Sequence, residues 1–491
     1  MRARGRLGVA LGLCALLATA ALGAYAYALQ IQQGDIVTGM RGIGAGGAVW
    51  GLYVVMDGCF LGAGVALMAV ACLARFSHDR AMEAAARIAM PSSIACFLGA
   101  ALSVMADQGR PLEALTNLSL YARPQSPMFV TFTAVGAICL LGSLLHCVLA
   151  RRADLAEYAK RPSAWQGLQR LLAAGYRGTP GQRYRRKKAS FWMSLLMLPA
   201  LLAPATALAI LFVVRPARSI DVVLWEVAGF LMVSLAGGLG LLILIAGLVG
   251  RLAGPAAGLP SRGFARLGRW LLLTVALSLL LVVAAEIVSV GSPEGAVAAY
   301  GRSLLRDWGG TFWVAVGSFF VAAGLLWRSA RRLRGRQTMM LVAAILVEVA
   351  LFLHHDWLLV AWQNHGLALP YFAGTYSPTW IEYAVEAGIV AVCILFLLPA
   401  VRLIPFAPLA VELQPRPKKV RDVRRTVLTW IWLFLALAVA GVGLAGAARV
   451  GTDAFMDPVL KGSPVIFIVG LVMLATTGAL YELLPERDRA G

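Results

Sequence analysis

Apolar runs of bilayer length recur along the whole chain, separated by polar gaps. An α-helix crosses the hydrocarbon layer with roughly 20 residues. Runs of that order sit at 8–29, 49–74, 88–106, 127–150, 191–213, 222–250, 268–290, 310–329, 337–360, 381–403, 427–447 and 463–482. None shows the short alternation of a membrane-spanning barrel. The pattern predicts an all-α polytopic membrane protein with about 12 transmembrane helices. The first run follows MRARGR, and AYA at 24–26 has the look of a signal-peptidase site. At about 20 residues it is longer than the apolar core of a signal peptide, so it reads as the first span.

The charges orient this array. The chain has 491 residues, 60% hydrophobic and only 14% charged. A net charge of +20 invites a nucleic-acid reading. The basic residues fall mostly in every second gap, however, which is the positive-inside pattern of a membrane protein, and no nucleic-acid partner is expected. With both termini in the cytoplasm, as in a bacterial inner membrane, the inside gaps hold most of the 44 Lys and Arg. The largest is 151–190, with Arg151, Arg152 and RYRRKK at 183–188. That run reads as topology plus attraction to anionic headgroups, worth about 1 kcal/mol per basic residue; an acidic partner is the alternative. Two outer gaps, 107–128 and 354–383, are long and rich in aromatic residues or proline, and a soluble partner is expected to dock there.

Seven cysteines lie in apolar runs and none forms CxxC, so no cysteine-ligated iron–sulfur cluster or c-type haem is expected in this chain. Five histidines, three of them at 354, 355 and 365, suit a bis-histidine haem only awkwardly, and no metal site is expected.

One run differs from the rest. Trp50 to Leu73 reads WGLYVVMDGCFLGAGVALMAVACL and carries Asp57 inside an apolar helix. An acid at that depth costs a few kcal/mol unless it is paired, protonated or facing a polar cavity. Gly58 and Gly62 form a GxxxG pair beside it, so a neighbouring helix or a flat ligand can approach the backbone.

WGLYVVMD at 50–57, ADQGRP at 106–111 and SPMF at 126–129 resemble the polysulfide reductase membrane-subunit (NrfD/PsrC) family. YSPTWIEY at 376–383, with a span ending in LIPF at 403–406, is similar to the close of that family's ten-helix members. The resemblance implies two four-helix bundles with peripheral helices. It divides the chain into a peripheral helix and outer loop (1–48), first-bundle helices (49–150), a basic cytoplasmic loop (151–190), the remaining family-like helices including the second bundle (191–406), and an extension with two extra helices (407–491). It also implies a quinone-reactive subunit, for menaquinone or ubiquinone, without a redox cofactor of its own. Electrons would pass to or from a ferredoxin-like iron–sulfur subunit on the outer face. Further subunits of molybdopterin, multihaem cytochrome or hydrogenase type would lie beyond it.

On that reading Trp50, Tyr53, Asp57, Gly58, Gly62 and Arg110 are the quinone-binding candidates, and Asp57, Asp107 and His146 the catalytic ones. His146, Glu286, Glu348 and Glu382 are candidates for a proton path, since histidine titrates near neutrality and membrane acids relay protons. Each has a structural alternative: Asp57 pairs with Arg110, Asp107 caps a turn, and the others are helix contacts. Two other classes stay open. A secondary transporter also has many helices and buried acids, but Pro199 and Pro204 in the fifth span have no counterpart in the eleventh. A purely structural anchor of a redox complex has no use for Asp57 or Glu348.

Overall fold

The computed structural model describes residues 2–40, 48–77, 79–116, 135–213, 219–252, 259–331, 336–365, 376–403 and 423–449, with short pieces between 466 and 481. Among the described residues every regular element is helical. The first are α1 (Arg2–Gln33), α2 (Leu52–Ser77), α3 (Arg80–Asp107) and the short α4 (Pro111–Thr116). A π-helical stretch, Val135–Gly142, runs into α5 (Ser143–Tyr158). Then come α6 (Gln166–Ala173), α7 (Pro180–Val213), α8 (Ile220–Leu252), α9 (Ser261–Val290), α10 (Gly295–Arg331) and α11 (Arg336–Asp356). α11 continues as the π-helical Trp357–Ala361, and α12 (Trp380–Leu403) and α13 (Val423–Arg449) follow.

Among the described residues 10 helices are long and apolar enough to cross a membrane. They match all the expected spans except the fourth and the twelfth. The start of 127–150, most of 463–482, SPMF at 126–129 and nearly all of LIPF lie outside the described residues. The protein is a polytopic, all-α membrane protein.

Several helices outrun their apolar cores. α7 starts at Pro180, so RYRRKK at 183–188 is helical. The interval 151–190, expected as a loop, holds the end of α5, all of α6 and the start of α7. A helix satisfies its own backbone in water or lipid and stops at Gly and Pro signals, not where hydropathy changes. Pro180 takes the first helical position, which needs no N–H. Gly109, between α3 and α4, has φ +67, a left-handed backbone that a Cβ would strain. Pro111 then opens α4, which accounts for the spacing in DQGRP.

The chain forms two compact units, each from segments far apart in sequence. One comprises Met1–Leu67, Ala95–Ala114 and Ala205–Leu398; the other comprises Met68–Ile94, Leu115–Pro204 and Pro399–Gly491. In the first unit α8 packs on α9 and α11, and α10 packs on the same two helices, closing a four-helix bundle. Its outer surface carries exposed Trp313, Phe320 and Trp327, as a lipid-facing wall requires. The first part of α2 lies directly on α8. A Cβ at Gly238 would overlap the Ala66 side chain and sit 2.9 Å from the Ala63 carbonyl oxygen. Gly238→Ala is therefore expected to force the two backbones apart at about 1–3 kcal/mol, seen as a lower melting temperature in detergent. Unchanged melting would show that this contact yields freely.

In the second unit α5 packs on α6, and Leu149 and Met193 form a small apolar cluster with Leu145.

Candidate functional site

In the first unit the turn that starts α2 is fastened from several sides. The Gln363 side chain accepts hydrogen bonds from the backbone N–H of Val49 (2.8 Å) and Trp50 (3.1 Å) and donates to the Trp50 carbonyl (2.9 Å). The Leu52 N–H, one of the groups a helix start leaves without an intrahelical partner, donates to the Tyr376 hydroxyl at 2.6 Å. Tyr376 in turn donates to Glu382 Oε1 at 2.7 Å. Burial, and then the Glu382 carboxylate, push the Tyr376 phenol well above its ordinary range, so it remains a donor. Glu382 Oε2 accepts the N–H of Gly39 (2.8 Å) and of Thr379 (2.9 Å). Thr379 precedes the first residue of α12 and Glu382 is its third, so the latter bond is half of a capping box. Glu382 is fully buried, and both its oxygens hold the fold.

Next to this clamp lies a polar layer. Tyr53 is buried, and its hydroxyl donates to Gln30 Oε1 at 2.7 Å. Gln30 Nε2 donates to the Ala106 carbonyl (3.0 Å) and to Asp35 Oδ1 (3.1 Å), tying α1 to α2 and α3. Asp57 is one turn further along the same face of α2. It is 7% exposed, and its carboxylate makes no hydrogen bond to any described residue. It lies within electrostatic reach of Asp107 and Glu386. Glu386 is buried and accepts a hydrogen bond from Ser103 at 3.2 Å. Asp57 of α2 thus has acidic neighbours on α3 and on α12.

The other expected residues are placed as follows. Gly58 faces Phe212 and His355, and Gly62 faces Ser234, each near enough to meet an added Cβ at under 3 Å. The small face of α2 is thus taken up by protein side chains, and Trp50, Tyr53 and Asp57 remain as its candidates for contact with a ligand. Arg110 is 77% exposed and pairs with Glu113 at 3.1 Å, so it neither neutralises Asp57 nor lines a buried cleft. Such a surface pair contributes little. His146 belongs to the second unit, fully buried, with Nε2 3.4 Å from the Ser194 hydroxyl. Glu286 accepts a hydrogen bond from the Trp357 indole at 3.0 Å, and the Glu348 carboxyl lies against Gly240; both sit in the α8–α11 bundle. Gln30, Ser103, Gln363 and Asn364, whose Oδ1 accepts the Tyr376 N–H at 2.9 Å, do not stand out in the sequence as site residues. Gln30 carries a signal, a polar residue closing an apolar run; Gln363 and Asn364 carry one only as an amide pair in an aromatic stretch.

The profile of the family described as "Polysulphide reductase, NrfD" matches residues 44–365, well over half of the chain. The chain belongs to the NrfD family. A protein of Halobacterium salinarum, described as a putative membrane subunit of dimethyl sulfoxide reductase, is 28% identical to it over 422 residues, covering 80% of this chain and 90% of that protein. The part matching the NrfD profile contains Tyr53, Asp57, Asp107 and Gln363. The Tyr376–Glu382 clamp and Glu386 lie beyond it.

Proposed function

We propose that this NrfD-family chain is the quinone-reactive membrane subunit of a respiratory oxidoreductase complex. The observation that carries the reading is Asp57: a buried acid without a hydrogen-bond partner among the described residues, at the edge of a group of further acids. A purely structural carboxylate at that depth would be paired. Quinol, when bound, supplies a pair of electrons and their protons. Asp57 accepts one of the two protons from the bound ring, and its acidic neighbours Glu386 and Asp107 take up the other. Tyr53, fixed by Gln30, sets the polar edge of the site, and the partly exposed Trp50 supplies an aromatic wall. The clamp through Gln363, Tyr376 and Glu382 keeps these side chains in register.

The electrons go to, or come from, a ferredoxin-like iron–sulfur subunit docked on the outer loops around 107–126 and 354–380, with both termini of this chain in the cytoplasm of a bacterial cell. The relative described as a reductase membrane subunit supports a complex of this kind. Glu286 and Glu348 are read as a second polar track in the bundle.

Photolabelling of the membrane-embedded chain with an azido-quinone, followed by peptide mapping, tests the site. Label is expected on the peptide spanning Trp50–Asp57, reduced by excess unlabelled quinone. Competable label confined to other peptides would overturn the assignment. A co-purifying chain with several four-cysteine clusters is the expected partner.

A further inference from the structure

In the second unit α6 is the wrong way out for a helix in water. Its buried residues are Gln169 and Ala173, 2% and 4% exposed, while its large apolar side chains point outward. These are Trp165 at the N-cap, Leu168, and Leu171 at 73% exposure. A helix on a soluble core does the reverse. At about 3.6 residues per turn these residues and the part-exposed Leu172 share one face, and the exposed Arg170 lies roughly opposite Leu168 and Leu172. The helix is built without help from that face. Arg152 of α5 donates from Nε to the Ala173 carbonyl (2.8 Å) and from Nη2 to the Ala174 carbonyl (2.6 Å), satisfying groups that a helix end leaves over. Gln166 donates to the Ala159 carbonyl at 3.1 Å, and Ala174, with φ 45, ends the helix.

We propose that α6 lies flat in the headgroup layer of the bilayer, with its apolar face at the acyl chains and Arg170 toward water, on a surface of anionic phospholipid. Two observations set this depth. Arg152, which grips the end of α6, stands where the apolar run of α5 stops. At the same level Arg186 of α7 donates to the Ala150 carbonyl at 3.3 Å. Little more than a turn further along α7, Phe191 and Trp192 are exposed, rings of the kind that settle at a membrane interface. An outward apolar face on a helix at that level is covered by the acyl boundary, as in helices that lie on membranes. Charge names the lipid. Between Tyr158 and Phe191 the chain has nine Lys and Arg and no Asp or Glu, and Arg161, Arg170, Arg177 and Lys187 are exposed. A segment of that sign is drawn to anionic headgroups. The inference is independent of the quinone reading.

Spin labels on the full chain in lipid vesicles test it. Leu168→Cys, Leu171→Cys and Arg170→Cys are made singly in a Cys14→Ser parent, Cys14 being an exposed native cysteine, and the parent serves as the blank. The vesicles contain phosphatidylcholine with phosphatidylglycerol, or phosphatidylcholine alone. Labels at Leu168→Cys and Leu171→Cys are expected to be relaxed severalfold more by oxygen, which concentrates in lipid, than by a water-soluble nickel chelate. The label at Arg170→Cys shows the opposite preference, and the contrast is larger with phosphatidylglycerol present. Three results each overturn the proposal. Relaxation of all three labels by the chelate places α6 in water. Protection of Leu168→Cys and Leu171→Cys from both probes means that protein covers the face. An equal contrast with and without phosphatidylglycerol removes the anionic surface.

Discussion

Asp57→Asn is expected to lower quinone-linked turnover at least about hundredfold, with the protein still assembled and melting as the wild type does. Turnover and stability should part company for a physical reason. General acid–base groups contribute roughly 10²–10⁴-fold, and an amide of the same shape cannot take up the proton. Stability is spared because the carboxylate makes no hydrogen bond to the described residues, so the substitution breaks none. A structural carboxylate would show the reverse pattern, lost stability before lost turnover. The measurement is quinol oxidation or quinone reduction by the intact complex, beside a melting curve and the subunit ratio on a gel. Turnover within a few-fold of the wild type would remove Asp57 from the chemistry.

Glu382→Ala is expected to have the largest effect on folding, on the order of 3–5 kcal/mol. The carboxylate is fully buried and accepts hydrogen bonds from the Tyr376 hydroxyl, the Gly39 N–H and the Thr379 N–H. Truncation leaves those donors behind, and a stranded buried donor costs about 1–3 kcal/mol. The loss travels, because Tyr376 also receives the first N–H of α2, and α2 carries Tyr53 and Asp57 just beyond Trp50. Melting in detergent should fall well below that of Tyr376→Phe, which gives up one hydroxyl and keeps the carboxylate. Turnover should drop only as far as folded protein is lost. A wild-type melting curve for Glu382→Ala would show that the clamp does not hold the turn.

These outcomes separate two acids that hydropathy ranks alike. Asp57 and Glu382 both look anomalous as single acids in apolar helices. Their partners differ, and some of those partners are distant in the chain. Gly39, 343 positions away, donates to Glu382, while Asp57 has electrostatic neighbours but no bond to a described residue. Arg110 is the counter-ion that the sequence suggests for Asp57, because it follows the next span closely. The left-handed turn at Gly109 and the start of α4 at Pro111 leave it at the surface beside Glu113 instead.

The chain's sequence determined its class, the number and place of most helices, and the family, because burial of apolar runs in lipid and the matching of backbone groups within each helix are local requirements. It also marked the acids whose burial calls for function or bonding, and the Thr379–Glu382 cap is legible in four consecutive residues. Only the tertiary structure decided which glycines face protein, which acid is bonded and which is not, and that Gln30 and Gln363 fasten the start of α2. Those are contacts between segments far apart in the chain, chosen by how helices settle against one another, and a hydropathy pattern carries no record of that choice.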